Sequence, residues 1–205
     1  MANKIEYRYE PELFTSPGET LLDTLLAKGL TQLDFAHRLT HIRKLTAKQF
    51  DLAKAEMIKH CATAGVSVVI LPEVGRARVS GATRWLNPNK ALIQISLRYK
   101  SDDHFWFTFF HEAGHIIKHG KKDLFIDEDG MHDVREEEAN RFASELLIPQ
   151  RELSLFIKSN PTPSEQDVNR FASRLGIAPS IVVGRLQHDR TIPFNYFKTL
   201  KQNLA

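Results

Sequence analysis

The 205-residue chain contains only one cysteine, Cys61, and no long apolar segment. A single cysteine cannot build an internal disulfide framework or a zinc module that uses several thiolates. The best apolar stretch, Val66–Leu71, is six residues long, whereas a membrane-spanning helix needs about 20. The first residues, MANKIEYRYEPEL, lack the apolar core of a secretory signal. We therefore expect a cytoplasmic protein with no membrane partner.

The chain also has little excess of either charge, since it contains 28 basic and 25 acidic residues and its net charge is +3. Nucleic-acid binding is indicated by a clustered basic face, so this balance neither demands nor excludes it. The nine histidines are more informative. Imidazole is the commonest metal ligand in proteins and a proton carrier near neutral pH.

The hydrophobic periodicity predicts an α+β fold that is mostly helical with a small sheet. One strand, residues 91–97, alternates as a half-buried strand does, and we expect it to act as a sheet edge that could pair with an extended substrate. Residues 46–49 (TAKQ) resemble a capping box that opens a helix. The expected helices are 18–28, a short one from Thr31, 46–64, 101–120, 134–147, 150–158, 164–175 and 179–187; the strands are 66–71 and 91–97, with turns at 75–82 and 87–89 and an acidic loop at 121–133.

The most informative motif is His111-Glu112-Ala113-Gly114-His115, an HExxH pattern. Composition alone predicts about 0.03 chance occurrences in a chain of this length. The aromatic run at 105–110 (FWFTFF) precedes it, so its helix should be buried. Residues four apart share a helix face, which places both imidazoles together. Ordinary core histidines are the alternative, but two buried histidines without a partner are costly. The motif predicts a metal site.

Zinc needs a third protein ligand and an open position for water. Cys61 stands alone on another predicted helix. The acidic cluster Glu136-Glu137-Glu138 opens the helix that follows the motif, and one of these carboxylates is the expected ligand, with Glu136 favoured over Glu138. An acidic helix N-terminus favoured by the helix dipole is the alternative reading. Glu112 points too differently from the histidines to be a ligand, so it would act as the base that activates the attacking water.

These segments resemble the ImmA/IrrE family of bacterial zinc metallopeptidases. The resemblance rests on HEAGH after WFTFF, on the downstream segment EEEANRFASELLIP, and on VSGATRW at 79–85. It implies a gluzincin-like, zincin-type domain with a small mixed sheet, Zn²⁺ on His111 and His115, and Glu112 as catalytic base. The family's ExxA[ND] element falls on residues 136–140, which supports Glu136 as third ligand. Members typically cleave repressor proteins that are encoded beside them.

The N-terminal part resembles the helix-turn-helix of plasmid-addiction antidote proteins at residues 17–21 and 29–39. A recognition helix should follow, but the sequence runs from Thr40 almost directly into Arg43, so the module looks shortened. We therefore expect a truncated helical appendage rather than an autonomous DNA-binding unit. The predicted domains are this appendage (1–45), the metallopeptidase domain (46–190) and a C-terminal tail (191–205).

The sequence thus predicts a zinc metallo-endopeptidase whose substrate is a regulatory or repressor protein. The alternative is an antidote-type regulator that binds DNA or a toxin through a zinc domain that does not cut. In the enzyme, Tyr99, His104 and His132 are candidates for stabilising the oxyanion. His104, His119 and His132 are otherwise expected to be surface residues or neighbours of the ligands.

Overall fold

The computed structural model describes residues 32–72, 79–119, 124–128 and 134–204. The helix predicted over 18–28, the first half of the expected turn at 75–82 and His132 lie outside these ranges. Among the described residues no helix is both long and apolar enough to cross a membrane. The helices are α1 (Gln32–Leu45), α2 (Phe50–Ala62), α3 (Asp102–Lys118), α4 (Val134–Leu147), α5 (Gln150–Ser159), α6 (Glu165–Leu175) and α7 (Pro179–His188), with a 3-10 turn at Lys198–Leu200; the strands are β1 (Val66–Leu71), β2 (Val79–Asn87), β3 (Lys90–Ser96) and β4 (Leu124–Glu128).

The fold is α+β and mostly helical, as predicted, and its sheet is mixed. Strands lie in the order β1-β3-β2-β4. β1 runs parallel to β3, whereas β2 is antiparallel to both β3 and β4. The expectation that residues 91–97 form a sheet edge is therefore wrong. β3 hydrogen-bonds to neighbours on both sides, and its alternation instead reflects Ile93 and Ile95 pointing into the core.

The described parts of two segments that were expected as a turn and a loop are strands. Residues 79–82 begin β2, and the acidic loop expected at 121–133 contains β4. Small residues and acidic neighbours conceal both strands locally. β2 pairs with β3 across a short turn, whereas the pairing of β4 with β2 joins residues 40 to 49 positions apart in the chain. Position 82 of β2 pairs with position 126 of β4. Long-range pairing of this kind overrides local propensity.

Helix α2 begins at Phe50 rather than at the expected capping box. The Thr46 hydroxyl is used elsewhere. It donates a hydrogen bond to the Arg43 carbonyl at 2.7 Å and accepts one from the Ala178 backbone N–H at 3.2 Å. Thr46 thus closes α1 and ties this turn to the start of α7, so residues 46–49 form a connection between α1 and α2.

Helix α3 is the central element, and thirteen of its residues are buried. One side lies on β2 and β3, and the others contact α1, α4 and α7. Trp106, Phe109 and Phe110 are nearly inaccessible to solvent. The aromatic run before the motif therefore has the role that the sequence predicted for it: it buries the helix on which the motif lies.

Helix α1 runs without a break through residues 40–43, where the sequence looked shortened. Phe35, Leu39 and Ile42 lie fully buried in the same hydrophobic core as α3. The predicted domain boundary at residue 45 stays a prediction. In the described part of the chain, α1 packs into the same hydrophobic core as the residues that follow it.

Arg43 joins α1 to the ends of two other helices. Its guanidinium donates to the carbonyls of Leu146 (2.7 Å), Leu147 (2.9 Å) and Leu175 (2.7 Å). The last carbonyls of a helix have no partner within the helix. Arg43 thus caps α4 and α6 at once and fixes the C-terminal end of the helix that carries Glu136.

Replacing Arg43 by methionine should lower the free energy of unfolding by about 2–3 kcal/mol, because charged hydrogen bonds to several half-buried carbonyls are lost. Lys44→Met, at the exposed neighbouring position of α1, is the matched control and should change stability by less than about 0.5 kcal/mol. Urea unfolding followed by circular dichroism measures both. A change at Arg43 no larger than that at Lys44 would contradict the capping role.

The segment predicted as a C-terminal tail returns to the start of α3. The Asp102 N–H donates to the Gln202 carbonyl at 3.1 Å, and Lys201 forms an ion pair with Asp103 at 2.6 Å. Ser180 on α7 donates to the buried Asp102 carboxylate at 2.6 Å. The N-terminal turn of α3 is therefore tied to both α7 and the last described residues.

Candidate metal centre

The two histidines of the motif lie one turn apart on the buried face of α3. His111 is 3% exposed and His115 is 1% exposed. Their Nε2 atoms are 3.0 Å apart. The helix phase predicted from the sequence therefore does bring both imidazoles to one point.

Helix α4 approaches this point closely because small residues face each other at the crossing. A Cβ atom on Gly114 would lie 3.2 Å from the Ala139 Cα and 3.1 Å from the Phe142 ring. Ala139 itself is fully buried. The third and fourth positions of HEAGH thus hold small residues. At Gly114 the missing side chain lets the backbone of α4 come near enough for a glutamate side chain to reach the histidines.

Glu136, in the first turn of α4, is that carboxylate. Its Oε2 lies 3.0 Å from the His111 Nε2, and its Oε1 lies 3.2 Å from the His115 Nε2. His111, His115 and Glu136 form the one group of potential metal ligands found among the described residues. Glu138, the alternative ligand, lies elsewhere: its Oε2 is 3.1 Å from the Nε2 of His119.

Outer hydrogen bonds set the tautomers of both histidines. The His111 Nδ1–H donates to the Asn140 Oδ1 at 2.9 Å. The His115 Nδ1 lies 3.0 Å from the His119 Nδ1, and the His119 Nε2–H donates to Glu138. With His119 donating to the carboxylate, its Nδ1 is the acceptor, so His115 donates. Both inner histidines then present an Nε2 lone pair.

This donor set fits a zinc ion. Two Nε2 lone pairs and a carboxylate converge, and three acceptors within 3.0–3.2 Å of one another repel unless a cation or a proton lies between them. Ligands at 2.0–2.1 Å from a tetrahedral ion are separated by about 3.3–3.4 Å, close to the distances found here. Imidazole nitrogens with one carboxylate are a typical ligand set of catalytic zinc.

The pKa values of the cluster suit metal binding. Burial raises the pKa of Glu136, but when no metal is bound and the Nε2 atoms of His111 and His115 carry protons, their hydrogen bonds and charge outweigh burial and lower the pKa from 4.5 to about 2. Burial lowers the pKa of His115, which favours the neutral imidazole that a metal binds. Because the folded pKa of Glu136 is depressed, its contribution to stability is present above about pH 4.5 and is lost as the pH falls through about 2.

Glu112 is directed toward the sheet by strand β2. The Thr83 hydroxyl, 1% exposed, donates a short hydrogen bond to the Glu112 Oε2. A Cβ atom on Gly81 would lie 2.3 Å from the Glu112 Oε1, so only glycine leaves room for the carboxylate at this position. Thr83 and Gly81 thus fix the side chain that was predicted to be the base. The sequence did not single out either residue for this role.

Two of the three oxyanion candidates, Tyr99 and His104, lie at the N-terminal end of α3 rather than at the ligands. His104 lies seven residues before His111 on α3, about 10 Å along the helix axis. Tyr99 stacks on His104 with ring centroids 4.3 Å apart. Burial lowers the pKa of His104. His119 lies against His115, in the position next to the ligands that was one of the expectations for it.

Comparison with known families identifies the family of the chain. Residues 61–187, more than half of the chain, match the model of the M78 peptidases, described as the IrrE N-terminal-like domain. The chain belongs to this family, and the match indicates a metallopeptidase-type function. No curated protein matches the chain.

Proposed function

We propose that this protein is a zinc-dependent endopeptidase that cleaves a regulatory protein such as a repressor. The observation that carries the proposal is the convergence of His111, His115 and Glu136 on one point, beside a buried glutamate on the same helix. The family match supports peptide-bond hydrolysis as the reaction. The choice of a regulatory substrate rests on the resemblance to ImmA/IrrE peptidases.

The chain's own residues divide the chemistry between them. His111, His115 and Glu136 would hold Zn²⁺, which when bound supplies a Lewis acid that polarises the scissile carbonyl and acidifies water. Glu112 would accept a proton from the attacking water on a carboxylate oxygen and pass it to the leaving nitrogen. Thr83 keeps that carboxylate in one orientation through its hydroxyl hydrogen bond.

An extended substrate could pair with β4 rather than with β3. Among the described residues, β4 borders the sheet beside β2, the strand that carries Thr83. Position 83 pairs with position 125 of β4. Strand addition at such an edge would extend the sheet beyond β4, on the side of the strand whose Thr83 holds Glu112.

Zinc-loaded protein should cut peptides at internal bonds, and the new termini can be identified by mass spectrometry of a proteome-derived peptide library. Removing the metal with 1,10-phenanthroline should lower the cleavage rate at least ~100-fold, and added zinc should restore it. Absence of any cleavage by protein that carries one zinc per chain would reject the proposal. The antidote-type alternative, binding of DNA or a toxin without cleavage, would then be favoured.

A further inference from the structure

A cavity of about 450 Å³ lies between α3, α4 and α7, one helical turn along α3 from the metal centre. Phe107, one turn before His111, lines it, and the two ring centroids are 6.4 Å apart. Ser144 lines it from α4, one turn after Asn140, the residue bonded to His111. The cavity therefore lies between the same two helices that carry the metal ligands, and Phe107 separates it from His111.

The inner part of the cavity is apolar. Phe107, Leu147, Ile148 and Ile181 contribute to its walls. Helix α7 lies close against α3 here, and the absence of a side chain at Gly184 allows this. A Cβ atom at that position would be 2.5 Å from a carboxylate oxygen of Asp103. The volume is within the range of about 300–1,000 Å³ found for ligand pockets, and it is large enough for a bulky apolar side chain with part of its neighbour.

The lining also carries more positive than negative charge. Arg185, Arg190 and Lys201 face the cavity together with one carboxylate, Asp103. Lys201 is paired with Asp103 at 2.6 Å, and Arg185 is paired with Asp189 at 2.7 Å. Arg190 is exposed at the end of α7, where its guanidinium can meet a carboxylate that enters from outside.

We propose that this cavity is the specificity pocket of the enzyme and binds a large apolar side chain next to the scissile bond, with an acidic residue beside it facing Arg190. The inference rests on the proposed endopeptidase function. The contact between Phe107 and the His111 ring gives the location, the apolar walls give the main side-chain class, and the positive charge of Arg190 gives the acidic neighbour. The favoured substrate thus has a large apolar residue next to the scissile bond and an acidic residue beside that apolar one.

Filling the cavity tests the apolar preference. Wild-type protein should favour leucine, phenylalanine or methionine at one position flanking the cut in a peptide library. Ser144→Trp should lower kcat/KM for those peptides at least ~30-fold and change peptides with alanine or glycine there less than ~3-fold. Arg141→Trp, at an exposed position of α4 outside the cavity, should behave as wild type. Unchanged zinc content shows that the metal centre is intact.

Arg190→Gln tests the charge. It should lower kcat/KM about 3–5-fold for peptides with an acidic residue beside the apolar one and leave neutral peptides unchanged. Cleavage without an apolar preference would overturn the proposal while leaving the endopeptidase function in place. Retention of that preference in Ser144→Trp would do the same.

A binding measurement separates the pocket from catalysis. Nuclear magnetic resonance of zinc-loaded Glu112→Gln should show shifts at Phe107, Ser144 and Ile181 on addition of N-acetyl-Leu-Glu amide, and none with N-acetyl-Gly-Glu amide. Such shifts without any cleavage by wild type would reject the endopeptidase function but support the pocket. No shift with either compound would overturn the pocket.

Discussion

Glu136→Ala should reduce the zinc content of the purified protein from about one ion per chain to a small fraction of that. The loss follows because Glu136 is the carboxylate whose two oxygens lie 3.0 and 3.2 Å from the histidine nitrogens. Zinc affinity should fall by more than the roughly 10–100-fold typical of changes in outer partners. Elemental analysis and competition with a chromogenic chelator measure the two quantities.

Neighbouring glutamates of α4 provide matched controls. Glu138→Gln should weaken zinc binding about 10-fold, since Glu138 acts only through His119 and His115. Glu137→Gln, at an exposed position, should leave affinity unchanged. If Glu138→Ala lost zinc while Glu136→Ala retained it, Glu138 would be the third ligand, which is the alternative that the sequence left open.

The metal-ligand cluster was open to prediction because its spacing is local. His111 and His115 are four residues apart on one helix, and helix geometry alone places them together. The choice of Glu136 as third ligand had less support, because three glutamates are adjacent in the sequence. Only the four-residue spacing of Glu136 from Asn140 and the family resemblance distinguished it from the other two. His119 continues the same four-residue spacing, and this is the signal that identifies it as a neighbour of His115.

The parts that escaped prediction depend on contacts between distant segments. Thr83 and Gly81 acquire their role only because β2 packs against α3. Thr83 and Glu112, which this packing brings together, are 29 residues apart in the chain. β4 is a strand because β2 offers it a partner. The link through Thr46 likewise depends on Ala178, 132 residues away. Local propensity carries no information on such pairings.

Glu112→Gln should abolish peptide-bond cleavage while zinc remains bound. Glutamine keeps the size of the side chain and can still accept the Thr83 hydrogen bond, but it cannot accept a proton from water. The turnover number should fall about 10³-fold or more, near the upper range for loss of a general acid–base group. KM should change less than ~3-fold and zinc content should stay at about one per chain. The measurement is the cleavage rate of the best library peptide.

Thr83→Val separates the role of the hydroxyl from that of the carboxylate. It removes the hydrogen bond that orients Glu112 but leaves the base itself, so the turnover number should fall only about 10-fold.

For Glu112→Gln, the variant Glu137→Gln serves again as the control for losing a negative charge near the site. Retention of more than a tenth of wild-type activity by Glu112→Gln would remove Glu112 from the mechanism. The proton acceptor would then have to be sought elsewhere, with Glu136 and its two histidines still holding the metal.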